Sequence, residues 1–495
     1  MSGNNYKVFL SAINRLFKHT FVYGLATVLP RLLTVLLTPL LTNYLPNPED
    51  FGGEVSIIFS WIIIFNVLLT YGTETAFFRY FTETDDKSKV LGTAIGTLLG
   101  TTLLFVVVSY LSLDHIASWT DKSANYWRWV IGVLAFDTLA VVPFAYMRAQ
   151  GKAVKYAVIK MINVIISVGC SALFLIWLQD IPGLRDWLPS DKIELYFIAF
   201  FGGASALTFL VICKPYFSKW KFDVLLWKRM LRYGFPILIA GIAFAINETF
   251  DKILLEWLLI DNATDQVGIY TACYRLAVGM TLFSTAFKLG VEPFFFSEAK
   301  NEKAPQLYAQ ITKMFVILGS IALLAYIVLV DLIKVLLINE KYYDAMDIVP
   351  MVLIAYLFFG IYQSISVWYK VTDKTKYGAY ISVLGAALTI GLNIFLIPQM
   401  GYIASAITTC AAYGLMMVTS YVLSRKHFAI PYDLKNILLY LIVSISFSLI
   451  FFYFFREELG IGSWSLYLVG ILMTAVLAGL IWIREKTFIK NLIKK

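Results

Sequence analysis

The chain has 495 residues, 59% of them hydrophobic and only 15% charged, and its mean hydropathy is +0.75. No soluble globular domain of this size has that composition, so the expected fold class is an all-α integral membrane protein. The net charge of +9 fits basic loops beside a bilayer, and no nucleic-acid partner is expected.

A window of about 19 residues finds about fourteen candidate spans. They cover 20–43, 54–77, 90–112, 126–147, 154–178, 193–213, 232–258, 265–296, 308–330, 346–369, 377–398, 402–424, 436–455 and 463–483. Ahead of the first, Lys7, Arg15 and Lys18 precede no short apolar region with a cleavage site, so no signal peptide is expected. An even number of spans puts both termini on one side. If that side is the cytoplasm, the inner loops and tails hold about 29 Lys and Arg against about 7 outside, as the positive-inside rule requires. No loop exceeds about 20 residues, whereas a soluble catalytic domain needs on the order of 100. The chain is therefore not expected to be an enzyme. A membrane glycan polymerase or ligase, the rival of a different class, would carry a large outer loop.

Cys170, Cys213, Cys273 and Cys410 lie in apolar runs without CxxC spacing, and His19, His115 and His427 are isolated. No metal or other cofactor is expected. The sequence has no GxxxxGK[ST] loop, so ATP hydrolysis is not its energy source.

The chain echoes itself. Tyr71-Gly72-Thr73-Glu74 resembles Leu289-Gly290-Val291-Glu292 about 218 residues later, Phe51-Gly52 resembles Val267-Gly268, and Gly151-Lys152 resembles Asp373-Lys374. Six spans separate the copies, which implies parallel repeats about an axis along the membrane normal. The expected domains are an N-terminal lobe (1–222), a C-terminal lobe (223–430) and two further helices with a tail (431–495). Such six-plus-six folds alternate access by rocking one half against the other.

Charges inside the spans are the functional clue, since each costs roughly 2.5–3.5 kcal/mol at a bilayer centre unless paired, hydrated or used. The seventh span carries Asn247, Glu248, Asp251 and Lys252. At helical spacing Glu248 lies beside Lys252 and Asn247 beside Asp251, either as a structural ion pair or as the lining of a watery cavity. Arg31 follows Pro30 in the first span, and Arg275 lies deep in the eighth. With Lys252 they make a cationic interior suited to a phosphate-bearing substrate. Asp137 has no partner on its own helix nearer than Arg148, so it is held by another helix or titrates during transport. Glu74, which can cap its helix or pair with Arg79, and Lys288 and Glu292, four residues apart and able to pair, lie near span ends, and with Arg79 they are gate candidates.

Four stretches carry a family likeness: Arg232-Tyr233-Gly234-Phe235-Pro236; Asp251-Lys252 with Val267-Gly268-Ile269-Tyr270; Asn393–Pro398 with Gly401–Ala406; and Phe51-Gly52 with Tyr71–Phe81. The sequence resembles the polysaccharide biosynthesis flippases, exporters of O-antigen and capsule repeat units, of the multidrug/oligosaccharidyl-lipid/polysaccharide exporter superfamily. The resemblance implies two six-helix lobes with two extra helices, in a bacterial inner membrane. It implies flipping of a polyprenyl-pyrophosphate-linked oligosaccharide, with membrane lipids, a proton or sodium ion and the polysaccharide polymerase machinery as partners. Arg31, Lys252, Arg275 and Asn247 would bind the substrate, and Asp137, Glu248 or Asp251 would couple the ion or form a structural pair. Two siblings stay open. A flippase for the peptidoglycan lipid precursor should have more arginines in its first two helices than Arg31 and Arg79. A drug/cation antiporter should have twelve spans and a more acidic cavity.

Overall fold

The computed structural model describes residues 35, 37–45, 47–178, 181, 183, 186–218, 221–297, 299 and 301–493. Among these no strand occurs, as expected where lipid offers backbone groups no hydrogen-bond partner and each span must satisfy its own. The helices are α1 (Leu37–Tyr44), α2 (Glu49–Glu83), α3 (Lys87–Leu111), α4 (Leu113–Thr120), α5 (Ala124–Ala149), α6 (Val154–Trp177), α7 (Lys192–Ile212) and α8 (Val224–Leu258). They continue with α9 (Ala263–Leu276), α10 (Val278–Ser297), α11 (Ala304–Val328), α12 (Val330–Leu337), α13 (Glu340–Val371), α14 (Lys376–Met400), α15 (Tyr402–His427), α16 (Leu434–Glu458) and α17 (Trp464–Ile493). Twelve helices among the described residues are long and apolar enough to cross a membrane, and each answers to one expected span. Of the first expected span, only α1 and Val35 lie within the described residues.

The eighth expected span, 265–296, is not continuous. It divides at Ala277 into α9 and α10. The phenol of Tyr326, on α11, donates to the Leu276 carbonyl at 2.5 Å, and the Met280 amide turns to Ala277 instead, at 3.1 Å. A side chain inserted into the helical ladder in this way is a recognised cause of a kink. A second break falls within α2, where Tyr71 (φ 31°) and Gly72 (φ 74°) are left-handed. Here an added Cβ on Gly72 would stand 2.7 Å from the Gly234 carbonyl oxygen, and one on Gly234 would stand 2.6 Å from that of Tyr71. The two glycines let α2 and α8 meet backbone to backbone.

By contacts the chain groups into two units, residues 1–257 with 262–268 and residues 258–261 with 269–495. Contacts thus place almost all of α8 with the first unit, whereas the expected lobes divide at residue 222. In the first unit α5 packs on α2, α3 and α7, and α6 packs on α7. Phe77, Ile95, Leu98, Val142 and Met230 are fully or almost fully buried in its core. In the second unit α13 is the central helix, packing on α10, α11 and α15, and 83% of its apolar window is buried.

The last two helices are fastened to α11 and α12 in the second unit. At one end Arg456 grips Asp331 with two parallel bonds of 2.9 and 3.0 Å, and Lys334 lies 2.7 Å from the same carboxylate. At the other, Lys313 bridges Asp433 (2.9 Å) and Glu485 (2.6 Å). Burial opposes the charge on Asp331, but Arg456 and Lys334 outweigh it and hold the carboxyl below its ordinary range.

Candidate functional site

Asn247, Glu248, Asp251 and Lys252 lie on the second half of α8, after Pro236. Asn247, Asp251 and Lys252 are 3%, 2% and 8% exposed, so this stretch does not face lipid. The Lys252 ammonium lies 3.1 Å from Asp251 Oδ1. Glu248 is half-buried on the same helix. Spacing sets Lys252 beside Glu248, and the structure adds the carboxylate of the preceding residue as an ion-pair partner. Arg275 is half-buried in the last turn of α9, within the second unit. Arg31 lies outside the described residues.

A second polar region lies within the first unit. A cavity of about 520 Å³ is lined by α1, α2, α5, α6 and α7. Asp137, halfway along the 26-residue α5, borders it, with Asn66, Ser205 and Lys160 as polar neighbours. Of the two sequence readings of Asp137, this arrangement supplies the first: other helices provide its partners. Lys160 is absent from the residues expected on sequence grounds, although a lysine within the apolar run 154–178 is itself a signal. Its ammonium stands 4.3 Å over the Phe144 ring. The Asn163 amide donates to the Ala204 carbonyl at 2.5 Å and to Thr208 Oγ1 at 2.6 Å.

The expected pairing of Glu74 with Arg79 is corrected. Glu74 pairs with Arg148, while Arg79 pairs one helical turn on with Glu83 at 3.2 Å and stacks 4.5 Å from the Tyr233 ring. The break at Tyr71-Gly72 starts a new helical segment at Thr73, with Glu74 in its first turn, and α5 meets this segment. Lys288 borders a small, largely apolar slot with Gln363 and Lys370 in the second unit. The side chain of Glu292 lies outside the described residues.

A further ion cluster had no sequence signal, because its members are far apart in the chain. Lys122, just after α4, lies 2.5 Å from Glu256 Oε1 and 3.5 Å from Glu54 Oε1, joining the start of α2 to the end of α8. Trp61, Trp119 and Trp257 pack pairwise with ring centroids 5.1 to 6.1 Å apart. Among the described residues no group of His, Cys, Asp or Glu is placed to hold a metal ion.

A bundle of membrane-length helices with ionisable groups buried in them is the architecture of a polytopic transporter. The comparisons place it more closely. The sequence profile of the polysaccharide biosynthesis protein family matches residues 16–287, more than half of the chain, and that of the MatE family matches residues 236–395. The chain belongs to the polysaccharide biosynthesis protein family. No curated protein sequence matches it. Among solved structures, the lipid II flippase MurJ in an inward closed conformation superposes with a TM-score of 0.73 at 17% identity, over 94% of this chain and 99% of MurJ. An inward-facing multidrug resistance MATE family transporter of the MOP superfamily superposes at 0.63 and 13% identity, over 85% of this chain and 95% of that one. A MATE protein in complex with Br-NRF gives 0.56 at 14% identity, over 87% and 96%. At these identities the likeness establishes the fold alone, one that this chain shares with MurJ and the MATE transporters.

Proposed function

We propose that this protein is a flippase that moves a polyprenyl-pyrophosphate-linked oligosaccharide, a polysaccharide repeat unit, from the inner to the outer leaflet of a bacterial inner membrane by alternating access. The observation that carries this reading is the polysaccharide biosynthesis family match over residues 16–287, on a fold also adopted by a lipid flippase. The orientation follows from the basic loops and puts both termini in the cytoplasm.

In this reading Arg31, Lys252 and Arg275 hold the pyrophosphate, with Asn247 as a neutral hydrogen-bonding neighbour. Arginine suits that role because its planar fork matches phosphate oxygens two at a time. Asp251, buried beside Lys252, is the coupling carboxylate that balances the lysine when no substrate anion is bound. Glu74, Arg79, Lys288 and Glu292 act near the cytoplasmic ends of their helices. The isoprenoid tail stays in lipid throughout.

Deleting the gene should abolish surface polysaccharide and leave lipid-linked repeat units in the inner leaflet, and the wild-type gene should restore both. Normal surface glycan in the deletion strain would refute the reading. A second reading, a flippase for the peptidoglycan lipid precursor, draws on the MurJ likeness over nearly the whole of both chains. It predicts instead that depletion blocks wall synthesis and is lethal.

A further inference from the structure

The cavity inside the first unit does different work from the cationic residues of α8 and α9. We propose that it is a sugar-recognition subsite, which takes one monosaccharide ring of the lipid-linked oligosaccharide. This inference rests on the flippase reading and deepens it.

Four observations point to a sugar. The volume, about 520 Å³, falls within the range of small-molecule pockets, roughly 300–1,000 Å³. The charge is balanced: Asp137 and Lys160 supply one of each sign, and Glu74 at the margin is matched by Arg148. A phosphate would call for net positive charge, which the described residues of this lining lack. The hydrogen-bonding groups are mixed and pre-set. Asn163 spends its amide hydrogens on Ala204 and Thr208, which fixes the group and turns its carbonyl oxygen into an acceptor. Ser205, 2% exposed, sets its hydroxyl beside Asp137 and borders the same cavity.

The fourth observation is the apolar wall. Phe144 and Tyr156 meet edge to face at 5.5 Å and border the same cavity. A pyranose ring offers hydroxyls at its rim and C–H groups on its faces, so it needs polar groups around it and an aromatic surface against it. An isoprenoid chain would strand Asp137 and Lys160. Water must fill the space when it holds no ligand, because two charges at this depth are otherwise prohibitive. Replacing that water by matched hydroxyls yields selectivity, since a site built for hydroxyls strongly rejects an analogue lacking them.

The test uses the full chain in nanodiscs and two kinds of synthetic probe on a short citronellyl tail. One is the bare pyrophosphate; the others carry a single hexose, N-acetylhexosamine or hexuronic acid. Titration calorimetry should show at least one glycosylated probe binding about tenfold or more tighter than the bare one. Asn66→Ala should reduce that ratio to near one while leaving affinity for the bare probe unchanged. The double variant Asp137→Asn/Lys160→Met, which leaves no lone charge behind, should do the same and guards against misfolding of a single variant. A ratio unchanged in both variants overturns the subsite while leaving the flippase reading intact. Equal binding of bare and glycosylated probes by the wild type also overturns it. Failure of every probe, bare one included, to bind the wild type sinks the flippase reading and the subsite with it.

Discussion

Lys252→Ala separates a structural role from a transport role for the buried charges of α8. The ammonium and the Asp251 carboxylate are 3.1 Å apart, and both residues are over nine-tenths buried. At an effective dielectric constant of about 20 their attraction is about 5 kcal/mol, set against several kcal/mol of desolvation per ion. The pair is therefore close to neutral as a whole but costly to break. Truncating the lysine alone should destabilise by about 3–5 kcal/mol, whereas Asp251→Asn/Lys252→Met should cost much less. Fluorescence-detected size-exclusion after heating gives apparent melting temperatures for both, and surface glycan gives function. The account predicts a fall of several degrees for Lys252→Ala, substantial recovery in the double variant, and no glycan in either. A double variant that is stable and also makes normal glycan would show that the pair serves packing alone and would remove it from the substrate path.

Two further predictions concern the scaffold. An added Cβ on Gly52 would overlap the backbone of Gly268, and one on Gly268 would overlap that of Pro48, so Gly52→Ala should prevent accumulation of folded protein in the membrane while Gly100→Ala, which meets nothing, should be tolerated; equal yields would contradict the close approach. Asp331 has a folded pKa below its unfolded value of about 3.9. Its stabilisation is thus present above about pH 4 and lost as pH falls through the folded value, so Asp331→Asn should melt earlier than wild type at pH 7, with the gap narrowing in acid. A gap that stays constant down to pH 3 would show that the Arg456 and Lys334 contacts contribute nothing.

The membrane helices were legible because a bilayer demands long apolar runs, and each of the twelve shows in the hydropathy alone. The break at Ala277 was not, because its cause is the phenol of Tyr326 from another helix, and the composition of 265–296 stays apolar throughout. The paired glycine motifs show both sides of this. Gly52 and Gly268 stand out as an echo at a constant offset, and the structure places the two backbones against each other, so a repeat signal turns out to be a packing requirement. Gly72 and Gly234 show the other side: they meet as closely at the α2–α8 contact, but the echo of Gly72 is Gly290 and nothing in the repeat announces Gly234.

Charged partners were less legible than charges. Helical spacing suggests Arg79 for Glu74, since it sees only neighbours on one helix. Glu74 instead meets Arg148 from α5, Lys122 meets Glu54 and Glu256, and Arg456 reaches back 125 residues to Asp331. Buried ions in a helical bundle find partners across helices, and no periodicity within one segment announces that. Lys160 was the avoidable omission. A lone lysine inside an apolar span is as costly as Asp137, and the two lie together in the cavity of the first unit.

The most direct test is translocation itself. Purified protein in liposomes, loaded on one leaflet with a fluorescent polyprenyl-pyrophosphate-linked repeat unit, should move the probe to the other leaflet, read by quenching from outside with dithionite. Wild type should flip it at a rate well above empty liposomes, and Arg275→Ala should fall to that background while still reconstituting. Transfer no faster than in protein-free liposomes, with a panel of repeat units from the producing strain, would contradict the account.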